Sequence, residues 1–595
     1  MKKLSIISGI LLMALFISCS KSFLDQVPQG STADNVFYNE KGINSLLTGT
    51  YAMVPGSALW TVSWGASITN WTYGSVASDD AYKGSEKTDQ IPVNEIEQWQ
   101  VSTTNNYPAE KWRLCIGMGV NRANTTLKVI ANTTDLAAAT KTELTAETRF
   151  LRGLFYFESW LVFGDKIPLI DETQIDIANT ISNDNAPGAV LAFIVADLTY
   201  AADNLPAAQA EPGRPTKYAA MALEARAYMQ VLDYTHAKPL LDAIIASGKY
   251  SLMPNFHDNF AVATNNNLES IYEIQRSVND YNESLNAEAG IGLNAPQGGD
   301  IGTCCGFHCP SQNLANAFKV DANGLPLFDT FNNPPDLKND QGVASGDDFI
   351  PATDPLDPRI DWTIGRRGIP YLDWGINRGA DWIRNQPWGG PYIPAEKTFF
   401  NKADRNTMST TTGWQTGINA NNIRYIRYAH ILLWRAEIAA SESDYTTVLN
   451  YVNQIRTRAG HQVVMGKVNI TKLPGTVYPW GAPGDVDFTQ PAANYHIGTY
   501  VLADINTPAH ALRAVQWEDR LEFAMEGMRF FDLRRWDIAN PGTMKTTLDA
   551  FATGDIRIRP QVMNGAVFTE TAKYQPIPQT QIDLQPGVLK QNTGY

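Results

Sequence analysis

Trp517 to Trp536 reads WEDRLEFAMEGMRFFDLRRW, and this stretch says more about the fold than any other part of the chain. Leu521, Met525 and Met528 recur at helical spacing, and Phe523, Ala524 and Phe530 widen the stripe. Yet Glu518, Asp519, Arg520, Glu522, Glu526, Arg529, Asp532, Arg534 and Arg535 are all charged. A helix with so much apolar surface is mostly buried, so some of its charge is buried too, and buried charge needs partners. Glu526 and Arg529 lie one helical turn apart and can pair. Gly527 leaves room for another backbone to approach. The reading is a structural ion-pair network that pins this helix to its neighbours, rather than a catalytic site.

The stretch resembles the C-terminal signature ERRxElxxEGxRxxDLrRW of SusD/RagB-like proteins, with Asp519 where a second Arg is common. Other segments carry the same resemblance: Asp357 to Trp374, which opens DPRIDWTIGR, the Ser78-Asp79-Asp80-Ala81 turn, and the closing Tyr574-Gln575-Pro576-Ile577-Pro578. The resemblance implies a surface lipoprotein that captures nutrients, usually glycans. It also implies a SusC-like TonB-dependent transporter of the outer membrane as partner. In that family the signature belongs to the scaffold, so it identifies the fold and leaves the ligand open.

The beginning of the chain suits that expectation. Lys2 and Lys3 precede an apolar run from Leu4 to Ser18, too short to span a bilayer and suited to a signal peptide. Small Ser18 stands before Cys19, which reads as the lipidated first residue of the mature protein, anchored in the outer membrane and facing the cell surface. With 595 residues the chain can bury a large core. A net charge of −14 and the lack of a basic tract exclude nucleic acid as a partner. Beyond Cys19 the cysteines are Cys115, Cys304, Cys305 and Cys309, too few for a disulfide framework. Cys304, Cys305, His308 and Cys309 cluster, but adjacent cysteines are a poor ligand set for zinc, so no metal or other cofactor is expected.

The helical patterns fall into two groups. Residues 108–132, 141–163 and 187–250 read as amphipathic helices. Within the last, Ala219–Leu232 and Pro239–Ser247 form a tetratricopeptide-like pair, and Arg424–Ala440 with Tyr445–Ala459 form a second. Between the pairs lies a stretch rich in Gly, Pro and Asn, with short strand-like runs such as Ser270 to Ile274. The expected architecture is mostly α. A tetratricopeptide-like helix-pair scaffold carries an irregular loop and short-strand region that forms the binding face. The divisions are a signal peptide at 1–18, an N-terminal SusD-like helical region at 19–250, a loop-rich insertion at 251–420 and a C-terminal SusD/RagB helical region at 421–595.

No phosphate loop, GxSxG or HExxH occurs, and the seven histidines are scattered. Carboxylates are plentiful, but no motif selects a catalytic pair, so a glycoside hydrolase is the weaker reading and a binding protein the stronger. A capture protein for another nutrient, such as peptide, stays open. The aromatics point to sugars. Trp64, Trp71 and Tyr73 lie in a Gly/Ser/Thr/Asn-rich stretch ahead of Asp79 and Asp80. Trp374, Trp382 and Trp388 lie in a second such stretch, and neither has a helical stripe to bury. Aromatic faces stack on pyranose rings while carboxylates and amides take the hydroxyls. The two stretches are expected to meet in one aromatic-lined depression with Asp79 and Asp80 at its rim.

Overall fold

The computed structural model describes residues 34–56, 64–280, 286–290, 292–297, 305–393, 401–410, 418–468 and 486–595. Cys19 and the run before it lie outside the described residues. The fold is mostly α, with three short antiparallel strand pairs among the described residues.

The chain enters through α1 (Glu40–Tyr51), capped by the Asn39 side chain on the Gly42 N–H at 2.9 Å. Strand β1 (Ala81–Gly84) and helix α2 (Ile91–Glu97) follow. The expected helix over 108–132 is one rod made of α3 (Asn106–Trp112), a π-helical segment (Arg113–Val120) and α4 (Asn121–Asn132). Helices α5 (Ala138–Phe163), α6 (Ala189–Asn204), α7 (Lys217–Met229) and α8 (Tyr234–Ala246) then pack each on the next. The loop-rich region carries β2 (Ser270–Ile274), β3 (Phe307–Pro310), α9 (Gln312–Ala317) and α10 (Gln386–Gly389). Strand β4 (Ile423–Arg427) leads into α11 (Tyr428–Ser441) and α12 (Tyr445–Ala459), so the first residues of the expected Arg424 helix belong to a strand. They are extended because they pair antiparallel with β2, Glu273 facing Arg424. Strands β5 (Met465–Val468) and β6 (Val486–Pro491) pair with each other and pack on Ile376 of the loop-rich region. Helices α13 (Pro508–Glu522), α14 (Arg529–Ala539) and α15 (Thr543–Asp555) follow.

The two tetratricopeptide-like pairs are built alike. Each second helix opens on Asp-Tyr, and the Asp side chain caps it: Asp233 accepts from the His236 N–H at 3.2 Å, Asp444 from the Thr447 N–H at 3.1 Å. The residue before each Asp is left-handed, Leu232 at φ 58 and Ser443 at φ 61. The pairs stack directly, α8 on α11, despite the long insertion between them. Across that seam Tyr234 donates to Glu437 at 2.9 Å and Arg435 pairs with Asp242 at 2.7 Å. The main core draws residues from Ile43 through Leu589, a second cluster sits between α11, α12 and α13, and a small satellite holds Ala295, Tyr371, Trp374, Trp382 and Ile393.

The opening signature is two helices, not one. α13 ends at Glu522 and α14 starts at Arg529, with Met525 at φ 66 and Gly527 at φ 77 between them. At Gly527 a side chain is excluded outright: a Cβ there would lie 1.9 Å from the Thr69 carbonyl oxygen, and one on Gly74 would lie 1.8 Å from the Gly527 oxygen. Two backbones therefore touch at this turn, as the glycine suggested. The expected Glu526–Arg529 pair does not form, because the turn separates them. Glu526 pairs with Arg427 at 2.8 Å, and Arg529 with Asp79 at 2.8 Å.

The rest of the network binds distant segments. Arg359 reaches Asp357 at 2.7 Å, Glu518 at 2.6 Å and Glu522 at 3.2 Å, so the two segments with the most specific family resemblance meet face to face. Arg456 takes the other Glu518 oxygen at 3.0 Å, and Arg427 joins Glu522 at 3.0 Å and Glu269 at 3.2 Å. Arg535 closes on Glu437 at 2.5 Å and on Asp532 at 2.7 Å. These groups are buried, and Glu518, Glu522, Glu269 and Glu437 each pair with arginines from other chain segments. The network therefore holds one arrangement of the scaffold, and breaking any member strands a charge.

Candidate ligand-binding site

The expected site residues sit mostly inside the protein. Trp71 is 1% exposed; its indole N–H donates to the Gly290 carbonyl at 3.0 Å, and its ring lies edge-on to Phe307 at 6.1 Å. Tyr73 is buried in the main core, where burial first and Glu110 next push its phenol well above its ordinary value. Trp64 alone of the three keeps partial exposure. Asp79 and Asp80 are not at a rim. Asp79 takes Arg520 at 3.0 Å and Arg529 at 2.8 Å, and Asp80 takes Arg520 at 3.0 Å. Burial alone would raise the Asp79 carboxyl, but Arg520 and Arg529 outweigh it and bring it down to about 2. Both carboxylates belong to the scaffold network, a part that motif reading of a Ser-Asp-Asp turn could not distinguish from a solvated one.

The second stretch is buried as well. Trp374 and Trp382 fill the satellite cluster, Trp382 standing edge-on to Tyr371 at 5.9 Å, while Trp388 joins the main core. The expected single open depression, with Trp64, Trp71 and Tyr73 facing these rings, is thus corrected. The rings fall into two separate clusters and their faces are covered. The physical reason is the lack of any competing apolar supply. Loops this long, with no helical stripe, need large rings to make cores of their own.

What the two stretches do form together is a charged ridge between them. β1 follows the first stretch and packs on α10 of the second. Beside it Arg384 donates to Asp89 at 2.6 Å, to Glu86 at 2.9 Å and to Ser85 at 3.2 Å. Lys83 donates to the Asp89 and Glu86 carbonyls at 2.6 and 2.8 Å and lies 5.6 Å from the Trp388 ring centre. Burial lowers the Lys83 amine to about 8. Arg384, Glu86 and Asp89 keep partial exposure and can exchange their bonds for ligand hydroxyls. The sequence reading missed them because no spacing ties Arg384 to residues 85–89. Only the antiparallel pairing of β1 with β3, which sets Gly84 opposite Phe307, and the docking of α10 bring them together.

Hollows lie elsewhere among the described residues. A groove of about 840 Å³ runs along α12, lined by Tyr250, Leu252, Tyr428 and Leu449. A cleft of about 420 Å³ lies between α1 and β2, lined by Tyr51, Arg214, Tyr272 and Arg276. A smaller cavity of about 100 Å³ lies under the Met525–Met528 turn, with Trp71, Arg226, His308 and Tyr425 in its wall. Among the described residues no group of three or more His, Cys, Asp or Glu side chains gathers to hold a metal ion. Cys305 is disulfide-bonded, while Cys115 and Cys309 are free thiols.

This arrangement of scaffold, loops and C-terminal signature has known counterparts. Residues 268–595 match the family model described as the SusD family, and residues 22–229 match one described as starch-binding associating with outer membrane. The chain belongs to the SusD family. A SusD-like protein of Bacteroides ovatus is 27% identical over 276 residues, covering 44% of this chain and 47% of the relative. SusD-like protein P25 of Formosa agariphila is 24% identical over 283 residues, covering 46% of this chain and 52% of the relative. The matched part thus spans about half the length of these curated relatives. The whole fold is shared with solved structures. A SusD superfamily protein of Bacteroides vulgatus superposes with a TM-score of 0.64 at 18% identity, covering 94% of this chain and 100% of the other. Surface glycan-binding protein A of Bacteroides thetaiotaomicron, solved in complex with laminarihexaose, superposes with a TM-score of 0.60 at 20% identity, covering 93% of this chain and 99% of the other.

Proposed function

We propose that this SusD-family protein captures glycans at the outer membrane without cutting them and passes them to a SusC-like TonB-dependent transporter. Cys19 carries the lipid anchor that holds it there, on the cell surface. The observation that carries the reading is the match of both halves of the chain to families of this kind, one of them described as starch-binding and associated with the outer membrane. Shared architecture with a protein solved around laminarihexaose agrees with it. The ligand rests on the ridge of Arg384, Glu86 and Asp89, with Trp64 as a partly exposed ring. Trp374, Trp382 and Trp388 shape the ridge from beneath, Trp71 and Tyr73 hold the first stretch in place, and Asp79 and Asp80 fix it to the scaffold.

Affinity electrophoresis through gels containing laminarin, starch or other soluble polysaccharides tests this directly. At least one polysaccharide should retard the folded protein, and the same oligosaccharides should be recovered uncut after incubation. Retardation by none of a broad panel overturns glycan capture. Release of shorter fragments by pure protein overturns the non-enzymatic part.

A further inference from the structure

The small cavity under the signature turn contains a cation that the scaffold network does not use. Arg226, on α7, is 3% exposed, and its guanidinium lies between the Phe157 and Tyr425 rings at 5.2 and 5.0 Å. Its hydrogen bond is to the Met528 sulfur at 2.8 Å, its Nε has no partner, and no carboxylate lies within ion-pair distance among the described residues. Every other arginine around it is committed. Arg427 holds Glu522 and Glu526, Arg458 holds Glu269 and Glu522, Arg276 faces Glu288 at 3.3 Å, and Arg424 bonds backbone carbonyls and faces Glu273 at 3.7 Å. The nearest countercharge is Glu158, which Arg226 helps to hold ionised from beyond ion-pair distance, but that carboxylate is already taken by Lys111 at 2.7 Å and by the Tyr425 hydroxyl. A guanidinium prefers a carboxylate in direct contact.

A second unpartnered group lines the same space. His308 is 1% exposed and sits in left-handed backbone at φ 57. Its Nδ1 lies 3.5 Å from the Asn294 side-chain nitrogen; with that N–H donating, the ring proton sits on Nε2, which has no partner. Burial holds the ring neutral, at about 3. The cavity's other titratable walls are Glu288, Arg424, Glu526 and Tyr425; both glutamates already face arginines, and the Tyr425 hydroxyl donates to Glu158. What remains is a surplus of donors over a floor of Trp71, Met525 and Met528. Thr69, Ile423, Arg424 and Glu526 keep partial exposure and frame a mouth. At about 100 Å³ the space is smaller than a benzene-sized cavity of roughly 150 Å³, so it admits the end of a ligand rather than a whole ring.

We propose that this cavity is a carboxylate-binding subsite, in which Arg226 and the His308 Nε2–H receive the carboxylate of an acidic sugar. The word sugar rests on the glycan reading above; the carboxylate site does not.

Differential scanning fluorimetry of the full chain at matched sodium concentration tests it, with galacturonate, acetate and galactose as probes. Galacturonate and acetate should both raise Tm and galactose should not. Arg226→Met should weaken the galacturonate response roughly tenfold or more, since a charge-assisted pair is lost. Met528→Leu keeps the guanidinium and should preserve the response, which guards against a folding defect in the first variant. Equal protection by galactose, no protection by any probe, or an unchanged response in Arg226→Met overturns the proposal. Protection by acetate without galacturonate overturns the acidic-sugar part. Failure of polysaccharide retardation with the carboxylate response intact sinks the glycan reading instead.

Discussion

The junction at Glu518–Arg529 and the tryptophan-rich segment at 371–393 are both buried, and they are buried by opposite means. The junction is dense with charge: Glu518, Glu522 and Glu526 meet arginines from other chain segments, and Arg529 meets Asp79. The segment at 371–393 is filled with rings, and the Trp382 and Trp388 indole N–H groups have no partner among the described residues. The first is a set of interlocking pairs, specific in partner and intolerant of loss. The second is an apolar filling that depends on volume more than on partner identity.

The sharpest way to break the contrast is at the backbone contact inside the junction. Gly527→Ala places a Cβ 1.9 Å from the Thr69 oxygen at a φ of 77. The cost should reach about 4 kcal/mol or more, and soluble folded protein should be lost in expression trials. Next comes Arg359→Met, which leaves Asp357 buried without a cation and removes one partner each from Glu518 and Glu522. Urea unfolding should show a loss of about 3–5 kcal/mol. Pairing it with Asp357→Asn should recover part of that, because the stranded charge is gone. A Trp382→Ala variant opens a hole in the satellite cluster and should cost about 3 kcal/mol, the low end for a buried ring. Faster amide exchange should stay confined to 371–393. Equal damage throughout the scaffold would erase the distinction between the two regions.

The junction was legible in the sequence because charge on an apolar face is a demand that something must meet. Buried partners for Glu518 and Arg529 follow from that demand, though the identity of each partner does not. Glu526 illustrates the limit: helical spacing pointed to Arg529, and the left-handed turn at Met525 and Gly527 redirected it to Arg427. The helix pairs were legible for a related reason, since apolar periodicity encodes a face. The binding face was less so. A tryptophan in a glycine-rich stretch can lie on a surface or make its own core, and Trp71 and Trp382 took the second course. Arg226 and His308 gave no signal, since one looks like an ordinary helix residue and the other like part of a cysteine cluster.

A pH experiment separates a carboxylate of the junction network from a buried carboxylate that no nearby cation holds down. Glu110, beside Tyr73, accepts the Gly65 N–H at 3.1 Å but has no cation close enough to offset burial, which raises it from 4.5 to about 7. Between those values the folded protein keeps a proton that the unfolded chain has released. Its contribution is therefore complete below pH 4.5 and is lost as pH rises through 7. Asp79 has the opposite sign: its contribution is present above 3.8 and is lost as pH falls through about 2. Glu110→Gln should flatten the decline of Tm on the neutral side and leave the acid limb in place.

The smallest structural effect should accompany the most informative functional one, at Arg384. Its three partners, Ser85, Glu86 and Asp89, are reached across the surface, and the side chain keeps 28% exposure. Exposed pairs contribute little, so Arg384→Ala should change the unfolding free energy by no more than about 1 kcal/mol. If the ridge carries the glycan, the same change removes donors from the contact surface and releases Glu86 and Asp89 to repel each other. Binding should then weaken roughly tenfold, the factor expected for one hydrogen bond made by a charged group. The two readouts together are decisive where either alone is not. A stable protein with weakened retardation in polysaccharide gels places ligand on the ridge, between the stretches that were expected to meet. A stable protein with unchanged retardation moves the ligand elsewhere, and the cleft between α1 and β2, with Tyr51, Arg214 and Tyr272 in its wall, becomes the next surface to alter.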